Sequence, residues 1–314
     1  MPAADATPPL RWGVLLPTFD VFGHGRFPVT AAARLAEELG YDSVWAGDHL
    51  VAKVPIIDAV CALAAAGAVT ERVEIGLGIL QLALRHPAWA AKQLATLDAL
   101  APGRVRLGVG AGGEYEEEFT AAGVEHRTRG RRLDEMLGVL PALLAGEAVD
   151  HPGPLAPVQV PGLLPPTSTR IPLAVGGRSD AALRRAARYG DQWMGMWRDA
   201  KAVAEATGRL RELAAEEGRP APTVTMLVLV NVDDDIDAAR DDAAELMARQ
   251  YHLPFRVVDR WTGYGPPDRV ATLLASYRDV GVDEFVLMPA SSDVLRQYER
   301  LVGVRKLVDE RVPE

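Results

Sequence analysis

Short apolar, β-branched runs alternate along the chain with longer stretches whose apolar positions recur at helical spacing, the pattern of parallel βαβ units. Residues 12–16, 43–46, 73–80, 105–110, 171–175, 192–196, 223–230 and 284–288 read as strands. Helical spacing fills the intervals at 29–39, 58–69, 88–100, 131–144, 180–188, 200–217, 267–280 and 293–308. Eight strand-and-helix pairs predict a closed (β/α)8 barrel of the α/β class, and 314 residues fit the roughly 200 to 400 over which such barrels close as one unit. A single domain over 1–314 is therefore expected.

Punctuation supports these boundaries. Gly40, Gly190 and Gly281 each follow a helical stretch, where a left-handed residue costs least without a Cβ. Pro87 and Pro267 open helices at a position where the missing N–H is no loss. Residues 151–170, rich in proline, and 233–264, acidic and then aromatic, break the rhythm. They read as irregular insertions after strands four and seven. The chain has no internal repeat beyond the alternation itself and no low-complexity segment.

Composition narrows the class of partner. Hydrophobic residues make up 48% and charged residues 25%, with a net charge of −9, so this globular chain lacks the basic footprint of nucleic-acid or anionic-membrane binders. A small-molecule partner fits better. Cys61 is the one cysteine and lies in the apolar run Val60-Cys61-Ala62-Leu63, which predicts a buried thiol and a reducing compartment. Residues 1–9 lack a signal-peptide pattern, and no apolar run reaches the roughly 20 residues of a membrane span. The expectation is a cytoplasmic protein.

In such a barrel the chemistry gathers on the loops after the strands, and four segments stand there. Asp48-His49 follows the second strand, and a histidine beside a carboxylate can move a proton near neutral pH; the alternative is a satisfied rim histidine with Asp48 capping a loop. Val175-Gly176-Gly177-Arg178-Ser179 joins a strand to a helix, where backbone N–H groups and a helix N-terminus can face a phosphate, or Ser179 merely caps an ordinary turn. Gly76-Leu77-Gly78-Ile79 and Gly108-Val109-Gly110-Ala111-Gly112-Gly113 place glycines in or just after strands, marking close approach of a ligand or tight packing inside the barrel. The second of these matches G-x-G-x-x-G, but the acidic run 114–118 follows at once and argues against a dinucleotide site. The six histidines show no metal-ligand spacing.

Together these residues resemble a family, the luciferase-like flavin and deazaflavin oxidoreductases of the luciferase-like monooxygenase superfamily. The resemblance runs from about Val14 to Pro289. It rests on Gly40-Tyr41-Asp42-Ser43-Val44-Trp45 with Asp48-His49, on Arg85-His86-Pro87 before Lys92-Gln93-Leu94-Ala95-Thr96-Leu97-Asp98, on Pro102-Gly103-Arg104 before Leu107-Gly108-Val109-Gly110, on Arg129-Gly130-Arg131-Arg132 before Glu135, and on Gly176-Gly177. It implies a TIM barrel holding F420 or FMN at its rim, and the Asp-His pair looks more like the F420-using branch. Carried over by position, Asp48 and His49 would line the ring and serve catalysis, Gly176 and Gly177 would hold the cofactor's phosphate, and Gly78-Ile79 would fall where many members have a cis non-proline bond. With the glycine segments and the turn read above, the cofactor-binding candidates are Gly78, Ile79, Gly110, Gly112, Val175, Gly176, Gly177, Arg178 and Ser179. Sugar-phosphate dehydrogenases of this kind carry Glu after the second glycine of the fourth-strand motif, and Ala111 here departs from them. Trp193 and Trp197, with the aromatic stretch from Tyr251-His252 to Trp261 and Tyr264, are candidates for the substrate walls. The implied activity is F420-dependent hydride transfer; an FMN monooxygenase using O2 and a flavin-storing barrel are the alternatives. A homodimer and a flavin or F420 reductase are the macromolecular partners compatible with this reading.

Overall fold

The structure, a computed structural model, describes residues 9–311. Eight parallel strands close a barrel: β1 (Arg11–Leu15), β2 (Ser43–Ala46), β3 (Glu74–Leu80), β4 (Val105–Val109), β7 (Leu173–Gly176), β8 (Gln192–Met196), β9 (Thr223–Val232) and β11 (Glu284–Pro289), the last pairing back to β1. The helices α1 (Val29–Glu38), α2 (Ala59–Gly67), α3 (Pro87–Leu100), α5 (Arg129–Leu144), α6 (Asp180–Tyr189), α7 (Ala200–Glu216), α9 (Pro267–Arg278) and α10 (Val294–Glu310) follow the eight strands in turn. The two irregular stretches are more ordered than expected. Residues 151–170 contain one strand of an antiparallel hairpin, β5 (Val149–His151) with β6 (Val158–Val160), and 233–264 contains α8 (Ile236–Gln250) and most of β10 (Gly263–Gly265), which pairs in parallel with the end of β9. A short helix, α4 (Glu116–Ala121), occupies the acidic run. None of the described helices is long and apolar enough to cross a membrane.

The barrel interior is organised around Trp45, which is fully buried. It fits because its neighbours lack side chains: a Cβ on Gly76 would sit 2.4 Å from the indole ring. Beneath it, at the N-terminal end of the strands, Arg106 lies 5.2 Å over the indole and donates to Glu284 (3.0 and 2.9 Å) and Glu74 (3.0 Å). Ser43 and Thr225 also donate to Glu284, and Trp45 Nε1 donates to Ser43 Oγ. A buried ion pair is tolerated where further hydrogen bonds complete it, and here they do. The strand glycines on this side serve packing rather than a ligand.

Two local expectations need correction. Gly40 and Gly281 do adopt positive φ (73° and 92°), but Gly190 is extended; a Cβ there would meet the Ala186 carbonyl oxygen at 2.9 Å, so close approach, not handedness, requires glycine. Cys61 is exposed rather than buried. It lies in the first turn of α2, where its backbone N–H donates to the N-cap Asp58, and the buried face of that helix belongs to Ala59, Val60, Ala62 and Leu63.

Candidate active site

A cavity of about 840 Å3 opens at the C-terminal end of the barrel, the end where strand termini and helix N-termini converge. Its floor is Ile79. The β3–β4 register slips between Leu77 and Leu80, and the Gly78–Ile79 peptide is cis. Ile79 lies flat because the strands beside it are bare: a Cβ on Gly110 would sit 2.0 Å from Ile79 Cδ1, and one on Gly176 would sit 3.1 Å from Cγ2. Leu15, Met194, Leu227 and Met288 continue this apolar surface.

At one side stands His49, just past β2. Its Nδ1 is 3.2 Å from the carboxylate of Glu118, whose side chain is buried, and its Nε2 is 3.8 Å from Glu114. Glu118 also accepts the Gln81 side-chain amide (2.9 Å) and the Leu50 backbone N–H (2.7 Å), so one carboxylate fixes both the imidazole and the loop that carries it. Burial alone would push the His49 imidazole down, but the hydrogen bond and charge of Glu118, then the charges of Glu114 and Asp48, outweigh it and raise its pKa. Burial pushes the Glu114 carboxyl up against the pull of His49. Glu118 is held low despite burial because His49 and Gln81 donate to it.

Asp48 has a different task. Arg85 grips it through two nitrogens (2.6 and 2.8 Å), and the Gln81 backbone N–H adds a third bond (2.9 Å). A bidentate Arg–carboxylate pair is a positional lock, so Asp48 anchors the base of the His49 loop. It lines the cavity with its charge already neutralised.

The other side of the cavity is cationic. The N-termini of α5 and α6 meet there, with Gly177, Arg178, Ser179, Arg129, Gly130 and Arg131 among the lining residues. Ser179 caps α6 by accepting from Ala182 N–H. Gly177 has φ 133°, and a Cβ on it would sit 2.7 Å from the Ala182 methyl, so the chain turns here with its backbone against the helix start. Arg185 is committed to Asp134. By contrast, neither Arg131, Arg178 nor Arg129 has a carboxylate partner among the described residues; Arg178 lies 5.7 Å over the Trp197 ring and Arg129 donates only to the His126 carbonyl. Helix N-termini and free guanidinium groups together favour an anion.

The structure thus brings Asp48, His49, Gly78, Ile79, Gly110, Gly112, Gly176, Gly177, Arg178, Ser179 and Trp197 to one cavity. Val175 is not on it: this residue is fully buried inside β7. Nor is Trp193, which is fully buried beside the phosphate-type turn and donates its indole N–H to the Gly177 carbonyl (2.9 Å). It braces the turn instead of forming a substrate wall. Of the aromatic stretch, Tyr251 lines the cavity, edge-on to Trp197 at 5.1 Å, while His252, Trp261 and Tyr264 do not. Gln81, Glu114 and Glu118 were missed. Gln81 follows the third strand on the same rim that singled out His49, so position alone could have found it; the run 114–118 counted only against a dinucleotide site, and α4 turns Glu118 inward.

Comparison with known proteins agrees with this geometry. The profile of the family described as luciferase-like monooxygenase matches residues 28–257. An uncharacterised protein of Mycobacterium tuberculosis is 36% identical over 168 residues, and the chain spans 58% of that relative's length. An F420-dependent glucose-6-phosphate dehydrogenase of Beutenbergia cavernae is 30% identical over 298 residues, covering 85% of this chain and 88% of that one. Among solved structures, an F420-dependent secondary alcohol dehydrogenase in complex with an F420-acetone adduct superposes with a TM-score of 0.82 at 21% identity, covering 95% of this chain and 99% of that one; at this identity the likeness concerns the fold. The chain belongs to the luciferase-like monooxygenase family.

Proposed function

We propose that the protein is an F420-dependent oxidoreductase that exchanges a hydride between the deazaflavin and a small organic substrate. The observation that carries this reading is the polarity of the cavity: an anion cradle on one side, a flat apolar floor, and a carboxylate-backed histidine on the other. Glycine at 177 lets the turn run against the start of α6, since a Cβ there would sit 2.7 Å from the Ala182 methyl. Three arginines free of carboxylates exceed what one phosphate needs, which favours F420, with its phosphodiester and acidic tail, over FMN. When bound, the deazaflavin supplies the hydride-carrying carbon.

The chain's own residues supply the rest. Glu118 fixes the orientation of the His49 imidazole and raises its pKa, so His49 can donate a proton to a developing alkoxide and, once neutral, accept the hydroxyl proton in the reverse direction. Leu15, Ile79, Met194 and Met288 keep water from the reacting atoms. The sugar phosphate of the Beutenbergia relative is not carried over. Ala111 follows Gly110, the carboxylate that follows on this loop in the cavity is Glu114, and Arg85 is locked to Asp48.

An FMN monooxygenase would use the same floor and cradle, and the family description names that chemistry. Parallel titration of the protein with F420 and FMN, followed by the absorbance change of each, separates the two. Tighter binding of F420 is expected; equal or tighter binding of FMN would overturn the assignment, and binding without turnover on any alcohol or carbonyl substrate would point to a carrier.

A further inference from the structure

Next to the main cavity lies a second one of about 480 Å3, bounded by the loops after β1 and β11. The two share Leu15, Phe19, Gln250 and Met288. Gln250 ends α8, whose buried stripe is otherwise apolar: Ala239, Ala243, Leu246 and Met247. It is 1% exposed, and its side-chain Oε1 has no hydrogen-bond partner among the described residues. A buried amide oxygen left unpaired is costly, so a residue that sits at the junction of two cavities in this state is suited to a ligand that supplies the missing donor.

The surroundings define that ligand. Tyr115 packs its ring 5.2 Å from His49 and donates its hydroxyl to the Gln250 backbone carbonyl, which ties the junction to the histidine. Leu15, Leu16, Val21, Leu246 and Met288 make the buried part apolar. The acids nearby are engaged, Asp20 by the backbone N–H groups of His24 and Gly25 and Asp293 as the cap of α10. Arg26 and His24 lie on the exposed rim, so no buried cation awaits an anionic substrate.

We propose that Gln250 is the substrate-orienting residue: an uncharged, largely apolar molecule occupies the second cavity, donates a hydroxyl or amide hydrogen to Gln250 Oε1, and extends its reacting end past Leu15 and Met288 toward His49. This rests on the main cavity being the cofactor's place. The test uses the protein without added cofactor and three probes of one shape, cyclohexanol, methoxycyclohexane and cyclohexanecarboxylate, with binding measured by ligand-observed NMR titration. Cyclohexanol is expected to bind roughly five- to tenfold tighter than methoxycyclohexane, the worth of one hydrogen bond. The carboxylate is expected to bind weakest. Gln250→Leu should erase the alcohol preference while methoxycyclohexane binding stays within about threefold, and Gln250→Met, closer in shape, serves as the second variant should the first misfold. Equal binding of alcohol and ether, no binding of cyclohexanol, a preference that survives both substitutions, or tightest binding of the carboxylate would each overturn the proposal. Because no probe needs a flavin, failure here leaves the F420 titration intact, and failure of that titration leaves this result standing.

Discussion

The two ends of the barrel hold similar side chains in opposite states. At the N-terminal end, Arg106 is 4% exposed and surrounded by Glu284, Glu74 and Gln192, with Ser43 and Thr225 completing the Glu284 oxygens. Both Glu284 oxygens are bonded there. At the C-terminal end, Gln81 Oε1, Gln250 Oε1 and Trp197 Nε1 lack partners and Arg131 and Arg178 have no carboxylate among the described residues. Since an unpaired buried polar group costs free energy that a paired one does not, the satisfied end stabilises and the unsatisfied end is built to be completed by something else. The same chemistry thus serves stability or binding according to whether the protein itself closes its hydrogen bonds.

The contrast can be broken most sharply at His49. His49→Ala is expected to lower kcat by on the order of 10² to 10⁴ with little change in cofactor affinity; a loss of affinity at unchanged turnover would show that the ring only packs there. At the other end, Arg106→Ala leaves the buried Glu284 without its cation while Glu74 keeps Arg11, and urea unfolding should show a loss of about 3–5 kcal/mol with the cavity residues untouched. Third in size is the cradle: Gly177→Asp adds a Cβ against Ala182 and a carboxylate where the anion belongs, and F420 affinity should fall by about 100-fold while circular dichroism stays unchanged.

The subtlest test concerns pH. Because the His49 pKa is raised, mainly through Glu118 acting against burial, its ion pair stabilises the loop below the ordinary histidine value and loses that effect as pH rises through the raised one. Glu118, held low, loses its share only as pH falls through its own depressed pKa. Activity in the direction that needs a proton from His49 should therefore fall as pH rises through the raised value. Glu118→Gln should move that fall to lower pH, seen also in the NMR titration of the imidazole. An unmoved midpoint would remove Glu118 from the control of His49.

How far these features could be read in advance follows from their range. The eight barrel strands were legible because each carries its own apolar run, and His49 was legible because it sits one step beyond such a run. The helix α8 was not, since its acidic start masked a stripe of small residues that has meaning only when packed against the barrel. The fate of the strand glycines was also hidden. Gly76 makes room for Trp45 and Gly110 for Ile79, and nothing local tells a glycine that admits a neighbouring side chain from one that admits a ligand.

The sequence by itself determined the alternation, the number of strand-and-helix units, the rim on which chemistry gathers and the turn at Gly176-Gly177, all properties of contiguous residues. Tertiary structure alone decided which of the rim residues are tied up by other side chains and which face the cavity free of them. Asp48 stood beside His49 in sequence, and Arg85, 37 positions away, locked it; Glu118 belonged only to an acidic run set against a dinucleotide site until α4 carried it to His49; Trp193 looked like a wall until its N–H was found on Gly177. In each case the partner is distant along the chain, and a hydrogen bond or charge interaction depends on separation in space, which local pattern does not encode.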